Sequence, residues 1–143
     1  MRVLRSRRNV AAMLVVYLLA VARITLWPKP APDETFDIVR AVLDWLRGLG
    51  LGLTYLGLEF TANVVMFVPF GILVGILVPR RRAWTVVVLG AATSVAIELA
   101  QLTLLPDRVA DPRDIVANTL GTLCGLGLLL LVRARTGAAP AER

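Results

Sequence analysis

Residues 59–78 read EFTANVVMFVPFGILVGILV, a run of 20 residues in which Glu59 carries the only charge. At about 1.5 Å of rise per residue, a helix over this run is about 30 Å long, which matches the hydrocarbon thickness of a bilayer. Pro69 lies inside the run, and helices buried in a membrane tolerate proline. The run therefore predicts a membrane-spanning helix.

Three more apolar runs have the length of a membrane span. They cover about residues 10–27, 83–105 and 112–132. The first contains Ala20-Val21-Ala22, which resembles a signal-peptide cleavage site. Because that run continues to Trp27, an uncleaved anchor is favoured over a cleaved signal. The sequence thus predicts an all-α integral membrane bundle of four transmembrane helices, forming a single domain over residues 1–143.

Composition agrees with lipid as the solvent. Hydrophobic residues make up 57% of the chain and the mean hydropathy is +0.74, whereas apolar usage in soluble domains is nearer half. The net charge of +6 comes from arginines at the ends of apolar runs, so no nucleic-acid partner is expected. The absence of histidine excludes imidazole catalysis and histidine metal ligands. Cys124 lies inside an apolar run and is expected to be a small core residue.

Arginine clusters predict the orientation of the bundle. They lie at the N-terminus, at residues 80–82 and at residues 133–135. Cytoplasmic loops are enriched in Lys and Arg, so these three clusters, and with them both chain termini, are predicted to be cytoplasmic. The even number of crossings agrees.

Residues 28–58 are more polar and lie on the predicted outer side. Three prolines precede Asp33, a plausible N-cap, so a helix is expected over about residues 33–47. Its apolar positions repeat at helical spacing opposite charged ones, which indicates an amphipathic helix on the membrane surface. Packing on a partner protein is the alternative. The glycine-rich residues 48–53 are not assigned a conformation.

Polar residues inside the spans are unexpected, because an ionised side chain near the bilayer centre costs from about 2.5 kcal/mol upward. On the third span, Ser94, Glu98 and Gln101 are spaced by four and three, which places them on one helix face. The same spacing makes single stripes of two further sets. These are Asn63 with Glu59 on the second span, and Asp111, Asp114, Asn118, Gly121 and Gly125 on the fourth.

The polar stripes lie at similar depths in the membrane. With Arg82 at the cytoplasmic boundary, Glu98 lies about 24 Å along its helix, in the outer third of the membrane. The other stripes, and Arg23 on the first span, lie within about two turns of their outer helix ends. A polar pocket at the outer leaflet is therefore predicted. The cytoplasmic halves are almost purely apolar, which argues against a channel and ranks a proton-coupled transporter last.

A purely structural interpretation is also open. Arg23 and Arg108 would neutralise the acids, and Gln101 and Asn118 would hydrogen-bond between helices. Gly121 and Gly125 favour close helix packing of the small-xxx-small kind, either inside the bundle or in a homo-oligomer.

Three motifs then point to a family. Residues 63–71 read NVVMFVPFG, residues 94–101 read SVAIELAQ, and Arg108, Asp111, Asp114 and an Asn118-Thr119-x-Gly121 element follow. Together, and in this order, they resemble the signature of the VanZ-like family of bacterial membrane proteins. The resemblance implies a four-helix protein of the bacterial cell membrane with a role in the cell envelope. The family's namesake is associated with low-level resistance to the glycopeptide teicoplanin.

The polar pocket is compatible with two classes of function, a lipid-binding protein and an intramembrane enzyme. In the first, the protein binds an envelope lipid or a lipid-linked cell-wall intermediate. Arg108 would hold an anionic headgroup, and the other predicted ligand-binding residues are Asn63, Gln101, Asp111 and Asn118.

In the second, the protein is an intramembrane enzyme acting on such a headgroup. Glu98 or Asp114 would be the general acid or base, with Ser94 as the candidate nucleophile. A divalent cation held by Glu98, Asp111 and Asp114 is an alternative, since hard cations accept oxygen ligands, but ion pairing with arginine fits these carboxylates equally well. No metal and no cofactor is therefore predicted.

Overall fold

The computed structural model describes residues 2–26, 33–48, 50, 54–105 and 111–137. Within those residues all regular structure is helical, as predicted. The five α-helices are α1 (Arg2–Thr25), α2 (Asp33–Gly48), α3 (Tyr55–Leu77), α4 (Trp84–Leu104) and α5 (Pro112–Gly137). A 3-10 turn, Arg80–Arg82, joins α3 to α4.

Four helices are long and apolar enough to cross a membrane, which confirms the predicted number of spans. Their spanning parts are Arg7–Thr25, Tyr55–Leu77, Trp84–Leu104 and Pro112–Thr136. The structure starts α3 four residues before the predicted run, because Thr54 caps the helix and its hydroxyl accepts the Gly57 N–H at 3.2 Å. It also starts α1 at Arg2, since arginine is a good helix former and extends the helix beyond the apolar run.

The bundle has two chemically distinct ends. One, called here the arginine end, carries Arg7, Arg80–Arg82 and Arg133. The other, called here the polar end, lies where α4 finishes and α5 begins. At the arginine end the Arg7 guanidinium donates to the Leu77 carbonyl at 2.6 Å. This contact satisfies a carbonyl in the last turn of α3, where intrahelical donors run out.

The most extensive interface joins α3 and α5, and glycines form it. A methyl group at Gly121 would overlap the carbonyl oxygen of Val64, and one at Gly125 would overlap that of Val68. From the other helix, a methyl at Gly71 would overlap the Thr122 carbonyl. The two backbones therefore touch without side chains between them. The predicted small-xxx-small packing is confirmed, and within this chain it joins two helices of one bundle.

Helix α4 packs against α5 at the same level of the bundle. Gly90 of α4 faces the side chain of Thr122, which is fully buried and donates its hydroxyl to the Asn118 carbonyl at 2.9 Å. Towards the arginine end the buried core is apolar and includes Phe67 and Val86. The bundle is thus closely packed at its centre, where α3, α4 and α5 meet.

The outward faces of the spans are apolar. Large hydrophobic side chains are more than half exposed on each of them, for example Val16, Val65, Leu99 and Leu131. Such an exterior suits lipid and not water. Cys124 also lies on the exposed side of α5, so the prediction that it is a core residue is wrong. Its neighbour Gly125 takes the interface position instead.

The helix predicted over residues 33–47 is present as α2. Four of its charged residues are exposed and form two ion pairs within the helix, Arg40 with Asp37 at 3.5 Å and Arg47 with Asp44 at 3.0 Å. Leu43 is buried. The helix therefore has an exposed charged side and a covered apolar position, and its placement on a membrane surface stays a prediction.

Tyr17 ties α1 to α3. Its hydroxyl donates to the Met66 carbonyl at 2.7 Å, three residues before Pro69. Pro69 has no N–H to donate to the Val65 carbonyl, one residue before Met66, so a polar contact from a neighbouring helix stabilises α3 next to this gap.

We expect Tyr17→Phe to lower the free energy of unfolding in detergent micelles by about 1 kcal/mol, since it removes one half-buried hydrogen bond and little volume. Tyr55→Phe is the matched control, because Tyr55 is 51% exposed. Equal stability of the two variants would show that the Tyr17 contact contributes nothing.

Candidate functional site

A group of polar side chains occupies the polar end of the bundle. Three helices contribute side chains, because α4 finishes at this end while α3 and α5 begin there, and α1 also finishes at this end. We call the following residues the polar cluster: Asn63, Ser94, Glu98, Gln101, Asp111, Asp114 and Asn118. All are residues that spacing and depth had selected.

Glu98 holds the start of α5 against α4. Its Oε2 atom accepts the backbone N–H of Asp111 at 3.0 Å. Asp111 in turn accepts the N–H of Arg113 through Oδ1 at 2.9 Å, in the manner of a helix N-cap, and Pro112 takes the first helical position. The buried carboxylate of Glu98 thus fixes where the fourth span begins.

A second contact joins α3 to α5. The Asn63 amide donates through Nδ2 to Oδ1 of Asp114 at 2.6 Å. A hydrogen bond to an ionised acceptor is shorter and stronger than one between neutral groups. Both side chains are half-buried, so this pair lies at the edge of the cluster.

The deepest contact joins α4 to α5. Asn118 donates through Nδ2 to the Ser94 hydroxyl at 2.8 Å, and both residues are buried, with 4% and 0% of their surface exposed. The other amide atom, Oδ1 of Asn118, accepts no hydrogen bond from any described residue. A buried acceptor without a donor costs about 1–3 kcal/mol, so this atom is the unusual feature of the cluster.

Gln101 connects the cluster to α1. Its Nε2 atom donates to the Thr25 carbonyl at 2.9 Å. Thr25 is the last residue of α1, and carbonyls in the last turn of a helix have no intrahelical partner. The buried amide of Gln101 therefore caps α1 from the neighbouring helix.

The structure brings together seven of the eight residues proposed for the site. The eighth, Arg108, lies outside the described residues. Two partners of the cluster were not predicted from the sequence, the Thr25 carbonyl and the Thr122 hydroxyl. Thr122 was detectable, because it lies four residues after Asn118 on the same stripe, whereas a backbone carbonyl leaves no signal in the sequence.

Metal binding by this cluster finds no support in the described part of the chain. No group of three Asp, Glu, His or Cys side chains there is placed to hold an ion. Glu98 meets Asp111 through a backbone N–H, and Asp114 faces Asn63. Oε2 of Glu98 and Oδ1 of Asp114 thus accept from different groups, the Asp111 backbone and the Asn63 amide.

Ser94 is held in a position that restricts chemistry. Its hydroxyl oxygen accepts the Asn118 amide, and no part of the residue is exposed. A substrate reaches Ser94 only if the helices around it move apart. Its assignment as a nucleophile therefore stays a prediction that requires such opening.

The polar groups stop halfway along the bundle. Beyond Thr122, the buried side chains in the described helices towards the arginine end are apolar, among them Phe70, Val74, Val86 and Leu126. The structure thus offers no polar route through its described residues, which keeps transport last among the function classes.

Comparison with known proteins agrees with the motifs. A family model described as VanZ/LLP1 matches residues 14–133, which include most of all four spans and the three motif segments. No curated protein and no solved structure matches the chain. The family match covers well over half of the sequence, and the four apolar helices fit it. This chain therefore belongs to the VanZ/LLP1 family and is a multi-pass membrane protein.

Proposed function

We propose that this protein binds an envelope lipid, or the headgroup of a lipid-linked cell-wall intermediate, through the polar cluster. In this proposal the arginine end and both termini are cytoplasmic, and the cluster lies at the outer leaflet of a bacterial cell membrane. Arginine bias supports the orientation.

The observation that carries the proposal is the unpartnered Oδ1 atom of Asn118. A hydroxyl, amide or ammonium group of a ligand would supply the missing donor once the helices around the buried Ser94–Asn118 pair move apart. Asn118 lies six residues after the start of α5, which is about 9 Å below the polar end. That depth is within reach of a headgroup or glycerol region lying at the membrane interface.

The rest of the cluster suits the approach of such a ligand. Asp111 and Asp114 are half-buried and precede Asn118 on the chain, so they lie nearer the polar end, and the half-buried Asn63 donates to Asp114. Arg108 belongs to the segment just before Asp111, and a guanidinium has the planar fork that matches phosphate. Envelope lipids combine phosphate with hydroxyl or ammonium groups, so one molecule would engage both Arg108 and Asn118.

We expect Arg108→Ala to reduce the co-purifying lipid at least tenfold. The measurement is mass spectrometry of lipids bound to protein purified from native membranes. Arg113→Ala is the matched control, because Arg113 is exposed and only its backbone N–H takes part in the cluster. Equal lipid content in wild type and both variants would remove the assignment of Arg108 as a headgroup ligand.

The same experiment tests the enzyme alternative, which two neighbouring carboxylates favour. Glu98 is 6% exposed and Asp114 is half-buried, so one polar cluster holds two carboxylates in different environments. A new lipid species made by wild type, and absent with Glu98→Gln or Asp114→Asn, would identify an enzyme.

The link to teicoplanin is supported by family resemblance alone. If expression of the protein leaves the inhibitory concentration of teicoplanin unchanged, that link is removed.

A further inference from the structure

An apolar groove separates α1 from α4 in the half of the bundle nearer the polar end. Its volume is about 230 Å³. The lining residues are Leu18, Val21, Ala22 and Leu26 of α1, and Thr93, Ala96, Ile97 and Ala100 of α4.

The groove exists because α1 packs mainly on α3 and leaves a gap beside α4. This helix lies mainly on α3, through Tyr17 and Val21, and makes little contact with α4. Three alanines in the lining, Ala22, Ala96 and Ala100, leave space that larger side chains would fill.

The lining offers nothing to a polar ligand. Thr93 is its one polar residue, and its hydroxyl donates to the Leu89 carbonyl at 2.8 Å. A groove of this kind inside a spanning segment is filled by hydrocarbon, because water finds no partners there and an empty groove forfeits dispersion contacts. A cavity of about 150 Å³ already admits benzene, so this groove has room for a stretch of acyl chain and not for a helix.

Position connects the groove to the polar cluster. Ala100 lies four residues from the end of α4 and Thr93 eleven, so the groove runs from about 6 to about 16 Å below the polar end. Gln101, a member of the cluster, crosses to Thr25 at the upper margin of the groove. Asn118 lies at about 9 Å by the same count, so a lipid with its headgroup at the cluster would have the first part of its chain in the deeper half of the groove.

We propose that the α1–α4 groove holds one acyl chain of the lipid whose headgroup lies at the polar cluster. This inference rests on the proposed function, because the cluster supplies the headgroup site. It adds that recognition includes the hydrocarbon part of the ligand, and that the ligand enters sideways from the outer leaflet between α1 and α4.

The test uses the full chain in vesicles of phosphatidylethanolamine and phosphatidylglycerol that contain a phosphatidylglycerol with a photoactivatable group in mid-chain. Cross-linked peptides are mapped by mass spectrometry. We expect labelling of residues 18–26 and 93–100 to exceed labelling of exposed α5 residues at the same depth, Val116 and Leu120, at least fivefold.

Ala96→Leu/Ala100→Leu should reduce that preference to the level of α5. Ala20→Leu/Ala62→Leu is the matched control, because it adds the same groups at exposed positions that do not line the groove. Even labelling of all exposed faces in wild type would overturn the proposal. So would protein–protein cross-links between groove residues of two copies, which would identify a second copy as the occupant.

Comparing groove labelling of wild type with lipid binding by Arg108→Ala separates the two proposals. If wild type shows the groove preference but Arg108→Ala leaves the amount of bound lipid unchanged, Arg108 is not a headgroup ligand. The groove is then still assigned as an acyl-chain site. If Arg108→Ala removes the co-purifying lipid while wild type shows no groove preference, the reverse holds.

Discussion

Replacing Gly125 by alanine is expected to destabilise the bundle by about 3 kcal/mol or more, whereas the same replacement at Gly127 leaves stability nearly unchanged or raises it. At Gly125 the added methyl group would overlap the carbonyl oxygen of Val68 in α3. A backbone atom cannot rotate away as a side chain does, so α3 and α5 must separate. That separation would loosen contacts along the largest interface of the molecule.

Gly127 provides the matched control on the same helix. A methyl group there meets no atom within 4 Å, and alanine is a better helix former than glycine by about 1 kcal/mol. The measurement is reversible unfolding in mixed micelles, followed by far-UV circular dichroism. Gly121→Ala should behave like Gly125→Ala, since it faces the Val64 carbonyl. Similar stability of all three variants would mean that α3 and α5 are not in backbone contact.

The sequence was sufficient to predict the spans and this glycine interface. A bilayer requires every backbone polar group to be satisfied inside the segment, so an apolar run of about 20 residues has few alternatives to a helix. Gly121 and Gly125, four residues apart, place two residues without side chains on one helix face. Neither inference depends on knowing which helix is the neighbour.

Partner identity is what the sequence could not supply. Polar stripes indicated which faces of α3, α4 and α5 turn inwards, but the pairing of Asn63 with Asp114 depends on helix rotation and on the order of helices around the bundle. The contact of Gln101 with the Thr25 carbonyl depends on where α1 ends. Cys124 was misplaced for a related reason, since its apolar surroundings resemble a core equally well on a face turned to lipid.

The polar cluster serves the bundle whatever its ligand. Its contacts link α3 to α5, α4 to α5 and α4 to α1, so the structural interpretation accounts for most of its atoms. It does not account for Oδ1 of Asn118, which is buried without a donor among the described residues. The purely structural interpretation and the lipid-binding proposal therefore predict different results for substitutions of Asn118.

Ser94→Ala/Asn118→Leu is expected to leave the free energy of unfolding within about 1 kcal/mol of wild type and to weaken lipid binding about tenfold. Replacing both partners of a buried hydrogen bond by apolar groups of similar shape is nearly neutral for stability. It also removes the unpaired Oδ1 acceptor. The loss of one ligand hydrogen bond of about 1.4 kcal/mol corresponds to the tenfold change.

Ser94→Ala alone should give the opposite pattern. It leaves the Asn118 amide in place but takes away the acceptor of its Nδ2 group, so stability should fall by about 1–3 kcal/mol while lipid binding is retained. Both quantities are measured on the same preparations, by unfolding in micelles and by lipid titration with native mass spectrometry. If stability and binding fall together in both variants, Asn118 acts only by holding α4 against α5. Opposite changes in the two variants would assign its Oδ1 atom to the ligand, because no structural role of Asn118 separates them.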